Sequence, residues 1–154
     1  MWRLETTKHL ATWITAEGAF LFGGRWSSVG HRVIYTAVDP STAIIEVAVH
    51  KGLPALDGVP HTLLGITINA PKLVHVVDVA TIPNAAWLRP GAVSAGQQAF
   101  GDALLAEHPL VIVPSVVSPR SWNLLIHLPS AAGLFELRSS EPFALDTRLN
   151  PPAA

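Results

Sequence analysis

Glu46 is the only carboxylate in the run Ser41-Thr42-Ala43-Ile44-Ile45-Glu46-Val47-Ala48-Val49-His50. Burying an ionised carboxylate without a partner costs several kcal/mol, on the order of its desolvation penalty. Glu46 therefore either reaches water or occupies a pocket where its charge has a task. Asp39-Pro40, just before the run, reads as a helix start, with Asp39 as N-cap and Pro40 at the first helical position. The helix is expected to run to about Lys51 and to stop at Gly52. On that helix Thr42, Glu46 and His50 stack along one seam, while apolar side chains cover nearly all the rest. A helix apolar nearly all round is usually buried on most sides. Taken by itself, the helix favours a seam facing a strip of water, where Glu46 and His50 form a surface pair worth on the order of a few tenths of a kcal/mol.

Other residues invite chemistry. In Gly23-Gly24-Arg25-Trp26 the glycines permit close backbone approach to a ligand, and the guanidinium can grip an anion with a planar fork. The plainer alternative is a Gly-Gly turn with a solvated Arg25 and a core-packed Trp26. Tyr35 is the single tyrosine of the chain and lies on a predicted strand, where it can stack on a ligand or merely be half-buried. Ser115 ends the apolar run Val111-Ile112-Val113-Pro114, a place shared by active-site hydroxyls and ordinary turns. No G-x-S-x-G surrounds it, so a hydrolase nucleophile is unsupported. Neither a P-loop nor G-x-G-x-x-G is present, and the seven histidines show no H-E-x-x-H or close pairing, so no metal site is expected.

These groups need a scaffold, and 154 residues suffice for one domain with a proper core. Apolar residues make up 49% and charged residues only 14%, below the roughly 25% usual for soluble domains. Such a composition calls for a large core or for an apolar surface that a partner covers. The net charge of −1 and the dispersed Lys and Arg give no basic stripe for nucleic acid. The chain has no cysteine, the opening MWRLETTKHLATW does not resemble a signal peptide, and no apolar run approaches the roughly 20 residues of a membrane span. A cytoplasmic location fits. Residues 19–32 read as a loop, and strands are predicted at 33–38, 61–69, 73–78, 110–113, 122–128 and 134–138. A second helix is expected from Ala95 to about Glu107, capped by Ser94. Strands outnumber helices without alternating regularly, which predicts a mixed α+β fold.

Taken in order, Gly-Gly-Arg-Trp, Tyr35-Thr36-Ala37, Ile45-Glu46-Val47, Pro114-Ser115 and Asn123-Leu124-Leu125 resemble the RES domain family, named for an Arg, a Glu and a Ser in this order. The likeness begins near Glu17-Gly18-Ala19 and ends at Pro142-Phe143-Ala144-Leu145-Asp146-Thr147-Arg148-Leu149, similar to a closing P-F-x-x-D-x-R-L. Ser27 departs from the asparagine usual after Arg-Trp, and His127-Leu128-Pro129-Ser130 from the family's late loop.

The resemblance implies one RES domain over residues 1–154, with an ADP-ribosyltransferase-like α+β fold around an NAD cleft. It implies a toxin of a toxin–antitoxin pair that cleaves the nicotinamide–ribose bond, with water, phosphate or a protein group as acceptor. NAD is then substrate, no cofactor is needed, and the partner is an antitoxin carrying a helix-turn-helix DNA-binding part. On this reading Glu46 stabilises the oxocarbenium-like ribose, Arg25 holds a phosphate and Tyr35 stacks on nicotinamide. Ser115 positions the ribose or the nicotinamide amide, and Trp26, His50 and Asn123 join the site. Protein ADP-ribosylation and a silent partner-binding module are the alternatives. With the family match, the Thr42–Glu46–His50 seam becomes the wall of a cleft.

Overall fold

The computed structural model describes residues 1–89, 91 and 93–150; residues 90, 92 and 151–154 of the expected single domain lie outside the described residues. The densest apolar runs become central strands, because only strands covered on both faces can bury such sequences continuously. These are β2 (Val33–Ala37), β5 (Leu110–Pro114) and β6 (Trp122–His127). With β1 (Trp2–Thr6), β3 (His61–Ile68), β4 (Val74–Val76) and β7 (Phe135–Phe143) they form a seven-stranded sheet in the order β4-β5-β6-β2-β1-β3-β7. Its pairings are antiparallel except for β4 beside β5. Helices α1 (Glu17–Phe22), α2 (Pro40–Lys51), α3 (Leu53–Gly58) and α4 (Ala95–Glu107) pack around it. The α+β class is as expected.

Side-chain alternation sorts the core. On one face Val33, Val111, Val113 and Leu125 pack with Trp26, Val77 and Leu105; on the other Ile34, Leu110, Leu124 and Ile126 meet Ala131. A third cluster joins Leu4, Leu56 and Leu145 to Ile44, Val47 and Ala48 of α2. Each fully buried aliphatic side chain contributes about 1.5–3 kcal/mol. One seam is weak by comparison. The register of β1 against β2 comprises only Trp2 opposite Ala37, whereas β1 follows β3 from Trp2 to Thr6. The sheet thus opens between Arg3 and Tyr35.

Several expectations are corrected. The segment read as a loop from residue 19 begins inside α1, and only the residues between Phe22 and Val33 are irregular. Strand β1 and helix α3 were not foreseen. Strand β4 is shorter than residues 73–78, because a 3₁₀ turn occupies Pro71–Leu73. Strand β7 runs on past Arg138 to Phe143, and its Pro142 is tolerated because β7 is an edge. Helix α2 matches its expected limits, cap included, but is not buried on most sides: Ile45 and Val49 face outward. Its apolar face toward Leu4 and Leu56 is narrow, and its polar seam is turned toward the sheet. Among the described residues no helix is long and apolar enough to cross a membrane.

Candidate active site

The α2 cap fixes where the seam points. Asp39 accepts the Thr42 N–H at 2.8 Å and the Thr42 hydroxyl at 2.8 Å, starting the helix at Pro40. Two turns on, Glu46 reaches the strands. Its Oε1 accepts the Ser115 hydroxyl at 2.9 Å and the Asn123 amide Nδ2 at 2.6 Å. The Glu46 side chain is only 24% exposed, while His50, one turn further, is 76% exposed with Nε2 3.9 Å from Oε2. That separation exceeds hydrogen-bonding range. One carboxylate oxygen is therefore held, and no hydrogen bond is made by the other among the described residues. Thr42 is buried; Ser115 is wholly enclosed at the end of β5, where its Oγ also accepts the Ser118 N–H at 3.0 Å. The Asn123 Oδ1 is buried without a partner.

The Arg25 turn lies across the same face of the sheet. Tyr35 is opposite Leu125 and Ala37 opposite Asn123, so alternation places Tyr35 and Asn123 on one face. The Tyr35 hydroxyl accepts the Trp26 N–H at 3.2 Å and lies 2.9 Å from the Ser27 Oγ. A tight turn results: the Gly24 N–H donates to the Ser27 carbonyl at 2.8 Å, and a Cβ on Gly24 would collide with the Tyr35 phenol. Burial pushes that phenol up to about 12, so it stays neutral in physiological conditions. From α4, Gln98 Nε2 donates to the Gly24 and Ser27 carbonyls at 2.9 and 3.2 Å, and Asp102 accepts the Ser28 N–H at 3.0 Å. Arg25, half-buried at the tip, spends one donor on the Trp87 carbonyl at 3.3 Å. Trp26 belongs to the core, 6.3 Å from the Trp87 ring and 6.4 Å from Phe100.

The structure thus brings Glu46, Ser115 and Asn123 into direct contact, with Tyr35 supporting the Arg25 turn on the same face. His50 stands at the rim and Trp26 behind the turn. Sequence reasoning missed Arg3, whose guanidinium fills the opening between β1 and β2. Its Nη1 donates to the Tyr35 carbonyl at 2.9 Å, and Glu5 Oε2 receives Nε at 2.9 Å and Nη2 at 2.6 Å. It also missed Gln98 and Asp102, whose partners are more than seventy residues away. The only available signal for Arg3 was the Arg3-Leu4-Glu5 alternation, which puts both charges on one strand face. Among the described residues no group of three His, Asp or Glu could hold a metal ion. Chemically, the site offers a half-buried carboxylate with one oxygen that makes no hydrogen bond among the described residues, and the Arg25 guanidinium, which suits an anionic ligand. Arg3 is already ion-paired with Glu5.

Residues 1–146 match the RES domain. The chain is 31% identical to the "Prs ADP-ribosylating toxin" of Sphingobium sp. (strain YBL2), covering 96% of this chain and 94% of that protein. It is 28% identical to a "Toxin Res" of Photorhabdus laumondii subsp. laumondii, over 97% of this chain and 96% of that one. Among solved structures, the M. tuberculosis MbcT–MbcA toxin–antitoxin complex contains a chain that superposes with a TM-score of 0.72 at 20% identity, covering 93% of this chain and 82% of that one. That likeness speaks for the fold.

Proposed function

The chain belongs to the RES domain family, and from that premise we propose that it is the toxin of a toxin–antitoxin pair and consumes NAD by breaking its nicotinamide–ribose bond. The observation that carries this reading is the Glu46 carboxylate, half-buried, held through Oε1 and free at Oε2. As the N-glycosidic bond breaks, its electron pair leaves with nicotinamide, which departs neutral, and positive charge develops on the ribose. A fixed anion nearby stabilises that charge without reorganising, as carboxylates do in glycoside cleavage. Arg25 provides a cation for the diphosphate. Tyr35 contributes through the turn it supports, its hydroxyl being committed to Trp26 and Ser27. The acceptor then bonds to the ribose carbon and releases its proton.

Water or inorganic phosphate as acceptor makes the protein a glycohydrolase or phosphorylase. A protein acceptor is the second reading, favoured by the name of the Sphingobium relative. Ser27, which stands in place of the family's usual asparagine, pairs its hydroxyl with Tyr35, so the departure leaves the Arg25 turn formed. The proposed partner is an antitoxin with a helix-turn-helix part, in keeping with the toxin–antitoxin neighbour. Purified protein should be incubated with NAD, with and without phosphate, and the products identified. We expect free nicotinamide, formed about a hundred- to a thousandfold more slowly by Glu46→Gln. Radiolabelled ADP-ribose retained on protein instead would select the second reading, and equal turnover by both variants would sink the assignment of Glu46.

A further inference from the structure

The resemblance places Ser115 against the substrate, and the geometry points elsewhere. Ser115 is 0% exposed, and its hydroxyl is committed on both sides, accepting from Ser118 N–H and donating to Glu46 Oε1. A substrate atom has no access to it. Asn123 presents its amide nitrogen to the same oxygen at 2.6 Å and leaves its own Oδ1 buried and unpaired. The reverse orientation of that amide would set two oxygens against each other. The Glu46 contact therefore dictates how the Asn123 side chain lies, at the expense of a satisfied carbonyl.

We propose that Ser115 and Asn123 are positioning residues: together they pin Glu46 Oε1 and so present Oε2 as the single oxygen that faces the ribose. This rests on the reading that Glu46 is the reactive carboxylate. Two donors converging on one oxygen restrict rotation about the terminal Glu46 bond more than a lone donor would. The pinning group is itself fixed to the helix that carries Glu46. The Ser115 N–H donates to the Ser121 carbonyl at 3.1 Å, and the Ser121 hydroxyl donates to Asp39, the cap of α2. The turn from Ser115 to Ser121 thus braces α2 at its N-cap and again at Glu46.

The test measures kcat and KM for NAD in Ser115→Ala and Asn123→Ala, with NAD affinity read by calorimetry when each change is placed in a Glu46→Gln protein. A positioning role lowers kcat by about ten- to a hundredfold, leaves KM within about twofold and leaves NAD affinity unchanged. Ser115→Thr, which keeps the hydroxyl, should recover most of the lost rate. A tenfold rise in KM with a matching loss of affinity overturns the proposal, since it would put these side chains on the substrate. Thermal melts identify a variant that fails to fold, and Asn123→Ala then carries the same test alone. Full turnover by Glu46→Gln sinks the underlying reading. An inactive Glu46→Gln beside a fully active Ser115→Ala and Asn123→Ala sinks only the positioning role.

Discussion

Two helices border the site and serve it in opposite ways. Helix α2 supplies side chains: Glu46 reaches across to Ser115 and Asn123, while Ile45 and Val49 on its outer side face away from the protein. Helix α4 supplies room and caps. Its buried row is Gln97, Gly101 and Leu105, and Gly101 lies so close to the Trp26 carbonyl that a Cβ there would overlap it. Gln98 and Asp102, flanking that glycine, hold backbone groups of the Arg25 turn. The carboxylate is fixed through side chains and the cation-bearing turn through main chain. Substitutions on α2 should therefore strike chemistry, and those on α4 should strike the fold first and ligand binding second.

The largest contrast is expected between Gly101→Val and Val49→Lys. Valine at position 101 must push into the Trp26 backbone, which cannot yield as a flexible side chain would. Overpacking of this kind costs about 3 kcal/mol or more, a large share of the roughly 5–15 kcal/mol that holds a domain together. The exposed Val49→Lys should stay within about 0.5 kcal/mol of the parent. Thermal unfolding followed by circular dichroism compares them directly, and a Gly101→Val melt that overlays the parent would break the account of α4.

A smaller effect is expected at the head of α2. Asp39→Ala removes the cap and the acceptor of the Ser121 hydroxyl, a loss of about 1–2 kcal/mol at neutral pH. The effect has a pH signature. The Ser121 hydroxyl, and then the Thr42 N–H, hold the Asp39 carboxyl below the usual carboxylate range in the folded protein. Folded Asp39 thus binds its proton more weakly than unfolded Asp39. Its stabilisation is complete above the unfolded value of about 4 and is lost as pH falls through the lower folded value. Urea melts of parent and Asp39→Ala should differ most near neutrality and converge in acid. A difference that persists unchanged into strong acid would remove the charge from the cap's role.

Much of α2 was legible because its signals are local: an aspartate, a proline, an apolar run and a glycine in order. The central strands were legible for the same reason, since runs such as Leu110–Val113 and Leu124–Ile126 fit no amphipathic surface. Glu46 announced itself as a charge in apolar company, though its direction did not. Side-chain periodicity gives a seam but not which neighbour the seam meets, and Ser115 and Asn123 lie 69 and 77 residues away in sequence. Resemblance named those two residues without revealing that they bond to Glu46. Arg3 and Glu5 were invisible because charges alternating with apolar residues look like an edge exposed to water. Only the opening between β1 and β2, a property of the whole sheet, turns them inward. Gln98 was hidden similarly, since a glutamine on a helix is ordinarily solvated.

Gln98→Ala sharpens the comparison at lower amplitude. One amide group serves two carbonyls of the turn, so its removal should cost about 1 kcal/mol of stability. Under the proposed function, a looser Arg25 should raise the KM for NAD by about tenfold and leave kcat within about threefold. That is the opposite split from the one expected for Ser115→Ala. Steady-state kinetics on the two variants side by side decide the matter, and identical splits would mean that the two flanks of the site do not have separate tasks.

The gentlest test leaves neutral solution untouched and reads the turn from its one spectroscopic reporter. Tyr35 is the single tyrosine in the chain, so tyrosinate absorbance near 295 nm belongs to it alone. Burial pushes its hydroxyl up to about 12 in the folded protein, against about 10 in an unfolded chain. The folded state holds this proton more tightly, so the contribution to stability is complete below about pH 10 and is lost as pH rises toward 12. Native protein should show no step near pH 10, and protein in urea should show one there. The hydrogen bond from Ser27 favours the ionised form, opposing burial. Ser27→Ala should accordingly move the native step further up, whereas Gly24→Ala, which forces the phenol out of the turn, should bring it down toward 10. A native protein that titrates near pH 10 with no such substitution would place the hydroxyl in water, and Arg25 would then be presented by a turn that α4 alone holds.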